Sequence, residues 1–499
     1  MSNVNHRSGS MDCEVLFLVP PFNYDKYFNK RNPHLGIAYM AAMLKQNKIP
    51  YKILDMNLGY SSTQVLKYIE QYNPDLICVT TFSPGYKKVY DLIDFFKSNY
   101  SGKIVMGGPH ISVTGKEAIK KTKADFAVVG EGEYTLLELI ENLYENSGFE
   151  KIKGLIWRKN SEIVENERRS YIQNLDALPF PAYEDFELEK YLCYKDGRLP
   201  IITSRGCPYQ CTFCCTRLSM GNRFRARSPE NVVDEIEHWY KKGWSIFDIN
   251  DDIFTLNRNR AIKICKLILE RGLDIQFNLY NGIRVDTIDE ELLKHLKTTG
   301  CKFISYGCES GNDRVLKVIK KGIKVKDVIN AVDITRKVGI NHKVNFIIGH
   351  PTETYEESMD SVRLAKNLKC SFVSFYNLIP YPGTEVYRWI ENNKNARFLY
   401  SPEVYLNEII LEKLIPVFET DEFSAGERKK ALIKGRELEE KTLAQFRFGK
   451  YKGYLIDLLN RNEKVSKVSH SLFDLFMSTE IGSTIYDSIY KSPWNPSRD

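Results

Sequence analysis

Short apolar runs alternate with amphipathic stretches along the first part of the chain, and this alternation predicts its fold. Runs at Glu14–Val19, Tyr51–Leu54, Asp75–Thr80, Lys103–Met106 and Asp125–Val129 read as strands. The stretches between them, at Leu35–Gln46, Thr63–Gln71, Tyr86–Ser98 and Thr114–Lys121, have helical spacing, and Tyr134–Glu145 closes the unit. Strands alternating with helices in this order predict a parallel, doubly wound, Rossmann-like sheet with a ligand at the carboxyl ends of its strands. From Asn146 to Arg198 the pattern changes. Gly154–Arg158 and Ser161–Val164 look like a hairpin, and Leu178-Pro179-Phe180-Pro181 cannot be helical through its prolines, so this stretch reads as a linker whose aromatic residues pack on both neighbours. The alternation restarts at Leu199, with strands expected near Ile201, Ile246–Ile249, Ile275–Leu279, Lys302–Tyr306, Val344–Ile348 and Ser371–Tyr376. Six such units predict a partial (βα)6 barrel with active residues at the carboxyl ends of its strands. Beyond Ile379 the pattern is helical and aromatic, with a long surface helix over Asp421–Phe446 and another from Lys450 to Asn460. The fold class is therefore α/β, divided into a flexible tail (1–12), a doubly wound domain (13–146), a linker (147–198), a barrel (199–378) and a mainly helical carboxyl-terminal domain (379–499) that closes the barrel mouth.

Composition narrows the setting without changing this picture. The chain has 499 residues, 43% hydrophobic and 27% charged, as in globular proteins. No apolar run approaches the length of a membrane span and the start lacks a signal-peptide core, so a cytoplasmic location away from membranes is expected. A net charge of +7 is small for this length. The basic clusters Lys320-Lys321 and Arg428-Lys429-Lys430 fit a solvated face, so the charge makes no case for nucleic acid.

The candidate chemistry is concentrated in Cys207-Pro208-Tyr209-Gln210-Cys211-Thr212-Phe213-Cys214. Thiolates at Cys207, Cys211 and Cys214, on one short loop, can ligate three irons of a 4Fe-4S cube and leave the fourth open. The alternatives are a zinc knuckle, which would want a fourth regularly spaced ligand, or buried structural thiols. Eleven scattered cysteines argue against a disulfide framework and for a reducing, low-oxygen compartment. Cys215 reads as packing beside the loop, and Cys301 and Cys308 as small buried hydrophobes.

The loop resembles the cluster loop of the radical S-adenosylmethionine enzymes, Phe213 included. The resemblance implies that the open iron chelates S-adenosylmethionine and that an electron, from a flavodoxin- or ferredoxin-type donor, releases a 5'-deoxyadenosyl radical. Downstream, Asn250-Asp251-Asp252, Asn281-Gly282-Ile283-Arg284, Gly307-Cys308-Glu309-Ser310-Gly311, Gly349-His350-Pro351-Thr352-Glu353 and Tyr381-Pro382-Gly383-Thr384 match the family in order at the ends of successive strands. By that resemblance Asp251, Asp252, Arg284, Glu309 and Ser310 are cofactor contacts, and Tyr209 and Phe213 lie against adenine. From their chemistry alone, Asp251 and Asp252 could instead cap a helix, Arg284 could form a structural ion pair, Tyr209 and Phe213 could pack beneath the cluster, and His350 could touch substrate or serve only its turn.

The strand ends of the first domain carry Thr80-Thr81-Phe82-Ser83-Pro84-Gly85-Tyr86, Gly107-Gly108-Pro109-His110 and Gly130-Glu131-Gly132-Glu133. Glycine there permits positive φ or close approach of a large ligand. Together with Asn32-Pro33-His34-Leu35-Gly36, these loops resemble the cobalamin-binding domain of the cobalamin-dependent radical S-adenosylmethionine enzymes. The resemblance implies cobalamin contacts at Thr80, Thr81, Ser83, Tyr86, Gly107, Gly108, Pro109, His110, Gly130, Glu131, Gly132 and Glu133. The Asp-x-His-x-x-Gly signature is absent, so cobalamin is expected base-off with no histidine under cobalt, shielded by Phe82 or Tyr86, while His110 reads better as a turn or nucleotide-tail contact.

The family implies an enzyme that takes a small-molecule substrate, with C-methylation of an unactivated carbon as the leading activity. Cobalamin would carry methyl from one S-adenosylmethionine while a second is cleaved to the radical. A cyclisation or rearrangement without methyl transfer is the alternative within enzymes, and a cobalamin sensor with a structural cluster is the alternative outside them. No second cysteine triplet exists, which argues against auxiliary clusters and against a methylthiotransferase.

Overall fold

The computed structural model describes residues 14–21, 32–143, 145, 147–160, 162–409 and 414–449. The expected tail at Met1–Asp12 and the helix expected at Lys450–Asn460 lie outside them. The chain forms two compact units, one of Met1–Phe254, Asn259–Ile275 and Ile379–Glu412, the other of Thr255–Arg258, Gln276–Leu378 and Lys413–Asp499.

The first unit is built on a seven-stranded sheet. Its strands are β1 (Val15–Val19), β2 (Tyr51–Asp55), β3 (Leu76–Thr80), β4 (Lys103–Gly107), β5 (Phe126–Val128), β6 (Leu155–Lys159) and β7 (Glu162–Glu165), in the order β2-β1-β3-β4-β5-β6-β7. β1 is apolar throughout because every residue of Val-Leu-Phe-Leu-Val is buried, as a central parallel strand covered on both faces requires. β1 to β5 pair in parallel, whereas β6 and β7 join antiparallel. The hairpin read as linker thus extends the domain's sheet. One further difference is local: the helix expected over Thr114–Lys121 is two short ones, Pro109–Thr114 and Lys116–Lys120, split at Gly115. Linker aromatics do pack both ways, since the Tyr191 hydroxyl donates to Asp55 at 2.6 Å and the Tyr183 hydroxyl to the Pro200 carbonyl at 2.5 Å.

Between residues 198 and 249 this unit has four more strands: β8 (Arg198–Ile201), β9 (Ser204–Arg205), β10 (Arg225–Ala226) and β11 (Ile246–Ile249). β8 and β11 pair in parallel, and β9 and β10 form a short antiparallel ribbon. In the second unit β12 (Gln276–Ile283), β13 (Cys301–Glu309), β14 (Asn341–Ile348) and β15 (Phe372–Asn377) are parallel neighbours in that order. β12 and β13 run further than the apolar pattern predicted, so Asn281–Ile283 and Gly307–Glu309 belong to the strands themselves, and pairing between β12 and β13 shifts register between Leu279 and Ile283. The long helix Ala425–Phe448, opened by a Ser424/Glu427 capping box, is not a free surface helix. Arg428, Ala431, Leu432, Gly435 and Ala444 are buried in it, and Gly435 lies directly on the ring of Phe375.

Candidate active site

The cluster loop follows β9 and is held from several sides. Asp251, at the end of β11, accepts from the Thr203 amide (2.5 Å), the Thr203 hydroxyl (2.5 Å) and the Ser204 hydroxyl (2.6 Å). Asp252 accepts from the Gly206 amide at 2.9 Å and the Thr216 hydroxyl at 3.3 Å. The acidic pair that the resemblance assigned to cofactor thus holds the base of the loop. Gly206 has φ +84°, and a Cβ there would collide with the Arg223 carbonyl, so the turn into Cys207 admits only glycine. The Cys207 amide donates to the Gly221 carbonyl at 3.3 Å, and the Val386 amide to the Thr212 carbonyl at 3.0 Å. Cys207, Cys211 and Cys214 are all partly exposed. Burial, helped by the neighbouring Cys214 and Cys211, pushes the free Cys207 thiol up to about 11, so iron must displace its proton. Among the described residues no three His, Cys, Asp or Glu side chains are placed to hold a single metal ion. In a 4Fe-4S cube, by contrast, each of three thiolates takes its own iron.

The loops at the ends of β3, β4 and β5 meet in the same unit. Gly108, with φ +99°, approaches so closely that a Cβ would lie 2.8 Å from the Thr81 carbonyl oxygen and 2.9 Å from its nitrogen. At Gly107 and Gly130 a Cβ would meet nothing within 4 Å, so the backbone there is bare. The buried Thr81 hydroxyl has no hydrogen-bond partner among the described residues. Bare backbone and an orphaned hydroxyl at the strand ends fit a large planar cofactor such as cobalamin. Ser112, which sequence reading missed, ties two of these loops by donating to the Gly108 carbonyl (3.1 Å) and accepting from the Gly130 amide (3.0 Å). Its only signal was its place four residues after Gly108 in a helix. His34 was quoted only within a motif; it caps the helix Leu35–Gln46 through Nδ1, and its Nε2 lies 3.4 Å from the Thr80 hydroxyl.

His110 is buried and engaged at both ring nitrogens, Nδ1 with the Ser83 hydroxyl at 3.1 Å and Nε2 with the Tyr90 hydroxyl at 2.9 Å. Burial pushes its pKa down to about 3. Tyr86 stacks on it at 4.5 Å and is itself buried. Phe82 stays partly exposed beside His34, at 5.6 Å between rings. Pro109 opens the short helix that carries His110. Glu131 and Glu133 also have protein partners. Arg205 reaches Glu131 at 2.9 Å and Glu133 at 2.8 Å, while Arg225 reaches Glu131 at 2.8 Å. Burial works against the Arg205 charge, but Glu133 and Glu131 outweigh it and hold its pKa above the usual value.

In the second unit Arg284 makes a bidentate ion pair with Asp286, at 2.9 and 2.8 Å, the structural alternative open from the sequence. Glu309 has φ +72°, a strained conformation for a residue other than glycine, and binds the Lys321 ammonium at 2.7 Å. Lys321 is 7% exposed and Arg428 2%, so neither sits on the solvated face expected of its basic cluster. Ser310 is buried and accepts from the Asn312 amide at 3.2 Å. Around Gly349, Glu353 accepts from the Gly349 and His350 amides (2.7 and 2.9 Å) and Arg428 donates to the Gly349 carbonyl at 2.7 Å. His350 is buried, its pKa pushed down to about 3 by burial, which agrees with a turn residue. Tyr209 and Phe213 remain partly exposed on the cluster loop, and Cys301 and Cys308 are buried in β13.

Three thiols at the start of a strand–helix series, joined in one unit to a doubly wound sheet with bare glycines, define a class of iron–sulfur enzyme with a second, planar cofactor. Family models agree on both halves: the B12 binding domain matches residues 28–140 and the radical SAM superfamily residues 201–365. The chain is 34% identical over 391 residues to "Uncharacterized methyltransferase PH0819" of Pyrococcus horikoshii, covering 76% of this chain and 84% of that one. It is 27% identical over 412 residues to the cytidylyl-2-hydroxyethylphosphonate methyltransferase of Streptomyces wedmorensis, covering 71% and 77%. The structure of the radical S-adenosylmethionine methyltransferase TsrM from Kitasatospora setae, with cobalamin and a [4Fe-4S] cluster bound, has the same fold, with TM-score 0.67, 20% identity, and 78% of this chain and 81% of that one covered. This chain belongs to the cobalamin-dependent radical S-adenosylmethionine enzymes. Its fold is the family's, a doubly wound cobalamin-binding domain followed by the strand–helix repeats of a partial barrel. The cofactors the family implies are a 4Fe-4S cluster, S-adenosylmethionine and cobalamin. Among the described residues no helix is long and apolar enough to cross a membrane.

Proposed function

We propose that the enzyme is a C-methyltransferase that methylates an unactivated carbon of a small-molecule substrate. The observation that carries this reading is the joining, in one compact unit, of a three-cysteine loop with the glycine-lined strand ends of a cobalamin domain. Relatives named as methyltransferases add support. When bound, the cluster with S-adenosylmethionine supplies a 5'-deoxyadenosyl radical and cobalamin carries the methyl group. The protein's part is to place these groups and exclude water. Cys207, Cys211 and Cys214 hold the cluster, Asp251 and Asp252 set the base of their loop, and Gly107, Gly130 and Thr81 border the cobalamin. Cobalamin would be held base-off without a histidine ligand, and Phe82 or Tyr86 would shield it; the engagement of both His110 nitrogens supports this. Glu309 and Ser310 are the proposed S-adenosylmethionine contacts in the second unit, and Tyr209 and Phe213 its adenine neighbours. Functionally, residues 13–146 serve cobalamin, 199–378 the radical step and 379–499 the substrate pocket, with the electron arriving from a flavodoxin- or ferredoxin-type donor.

The test is anaerobic protein with reconstituted cluster and supplied cobalamin. Near one cobalt per chain is expected, and S-adenosylhomocysteine should accompany 5'-deoxyadenosine on reduction. Formation of 5'-deoxyadenosine without S-adenosylhomocysteine would overturn methyl transfer in favour of a cyclisation or rearrangement.

A further inference from the structure

The loop after β5 and the stem of the cluster loop are joined by a buried network of four charges. Arg205 stands two residues before Cys207, and its register partner across the β9–β10 ribbon is Arg225. Their guanidinium groups close on Glu131 and Glu133 at 2.8–2.9 Å, and each of the four residues is 9% exposed or less. Both oxygens of Glu131 are in use, since Oε2 also accepts from the Ile172 amide at 2.7 Å and from Arg225 at 2.8 Å. Two guanidinium groups balance two carboxylates, so the network is neutral only when complete, and removal of one member leaves a buried charge. Arg205 further lies over the ring of Tyr39, 5.3 Å from its centroid, which locks its rotamer.

Glu131 follows Gly130 directly, and Gly130 is one of the two bare backbone positions. The network thus runs from the edge of the cobalamin site to within two residues of the first cluster ligand. We propose that Glu131 and Glu133 are positioning residues: with Arg205 and Arg225 they tie the cobalamin loop to the cluster stem and fix the separation of the two cofactors. They are not cobalamin contacts, as the family resemblance had implied. This proposal rests on the two cofactors of the family and is independent of methyl transfer.

Three variants test it in the holoenzyme. Glu131→Asp keeps the charge but shortens the reach, Glu133→Gln removes one arm, and Arg205→Lys approaches from the cluster side and loses the two-pronged contact. Iron and cobalt per chain are measured first, then the magnetic coupling between the reduced cluster and paramagnetic cobalt by electron paramagnetic resonance. With both metals near wild-type content, each variant should show a shifted or broadened distribution of coupling. Wild-type coupling in fully loaded variants would overturn the proposal. So would loss of cobalt with iron retained in the glutamate variants, because that is the mark of a direct cobalamin contact. If Glu131→Asp does not fold, Glu133→Gln and Arg205→Lys must still agree, and disagreement between them counts against the network.

Discussion

At the scale of single residues, neighbouring glycines can have opposite purposes. Gly108 holds φ +99° with the Thr81 backbone 2.8 Å from its would-be Cβ, whereas a Cβ on Gly107 meets nothing within 4 Å. Gly108→Ala should therefore cost about 1–3 kcal/mol of stability, read as a lowered melting temperature of the cobalamin-free protein. Gly107→Ala should leave that melting temperature nearly unchanged and lower cobalt occupancy, because the new methyl fills space that the ligand needs. Titration sorts the residues in a similar way. Burial pushes Glu353 up to about 7 from an ordinary 4.5, against the pull of the Gly349 and His350 amides. A carboxyl with a raised pKa favours the folded state below pH 4.5, and that contribution is lost as pH rises to 7. The loss is at most about 3 kcal/mol. Wild type should thus lose stability between pH 5.5 and pH 7.5 relative to Glu353→Gln; equal pH dependence in the two proteins would contradict the buried, proton-holding carboxyl. The three cysteines and the glycine loops were legible because spacing encodes them. The protein partners of Glu131, Glu133, Asp251 and Asp252 were not, because a carboxylate in a motif looks the same whether it faces a cofactor, an arginine far along the chain or a loop hydroxyl.

At the scale of elements, β1 to β5 and the helices Leu35–Gln46, Ser62–Tyr72, Tyr86–Asn99 and Glu133–Leu143 were legible to within a residue or two because hydrophobic period carries that information, whereas the helix read over Thr114–Lys121 is two, split at Gly115. The β6–β7 hairpin and the helix Ala425–Phe448 were read as elements, but their attachments were missed. A hairpin's alternation does not say which sheet edge it joins, and a helix rich in charge along most of its length looks solvated even when one stripe is covered. Gly435 marks that stripe, since a Cβ there would stand 2.6 Å from the Phe375 ring. Two effects compete in Gly435→Ala. Alanine is favoured over glycine inside a helix by about 1 kcal/mol, whereas overpacking against a buried ring costs about 1–3 kcal/mol. Phe375 is 1% exposed and its neighbour Phe346 is stacked on it at 5.0 Å, so the ring has little room to yield. The variant should therefore be destabilised by denaturant titration. A gain in stability would mean that the helix stands off β15 in solution.

At the scale of the whole molecule, the informative feature is that the first unit is not continuous in sequence. Residues 379–409, grouped by pattern with the carboxyl-terminal region, run against the cobalamin-domain loop instead. The Gly85 amide donates to the Leu406 carbonyl at 2.8 Å, the Lys87 amide to the Asn407 side chain at 2.8 Å, and Lys87 pairs with Glu403 at 3.1 Å. Gly383, within the family-like Tyr381-Pro382-Gly383-Thr384, leaves 3.1 Å to Val113 and 3.2 Å to Leu218 from its Cβ position. One glycine thereby touches both the helix after the β4 loop and the helix after the cluster cysteines. No local pattern could reveal this, because each hydrogen bond spans more than three hundred positions and its donor is a main-chain amide that every sequence has. The exposed Lys87–Glu403 pair contributes little, so the Asn407 bond, worth about 1 kcal/mol, is the better place to intervene. Asn407→Ala should speed hydrogen exchange at the amides of Gly85 to Lys87 and leave the amides of β12 to β15 as they were. Cobalamin occupancy should fall with the loosened loop while iron content stays. Exchange that changed only within 379–409 would show instead that the segment belongs with the substrate-shaping region and gives the cobalamin loop no support.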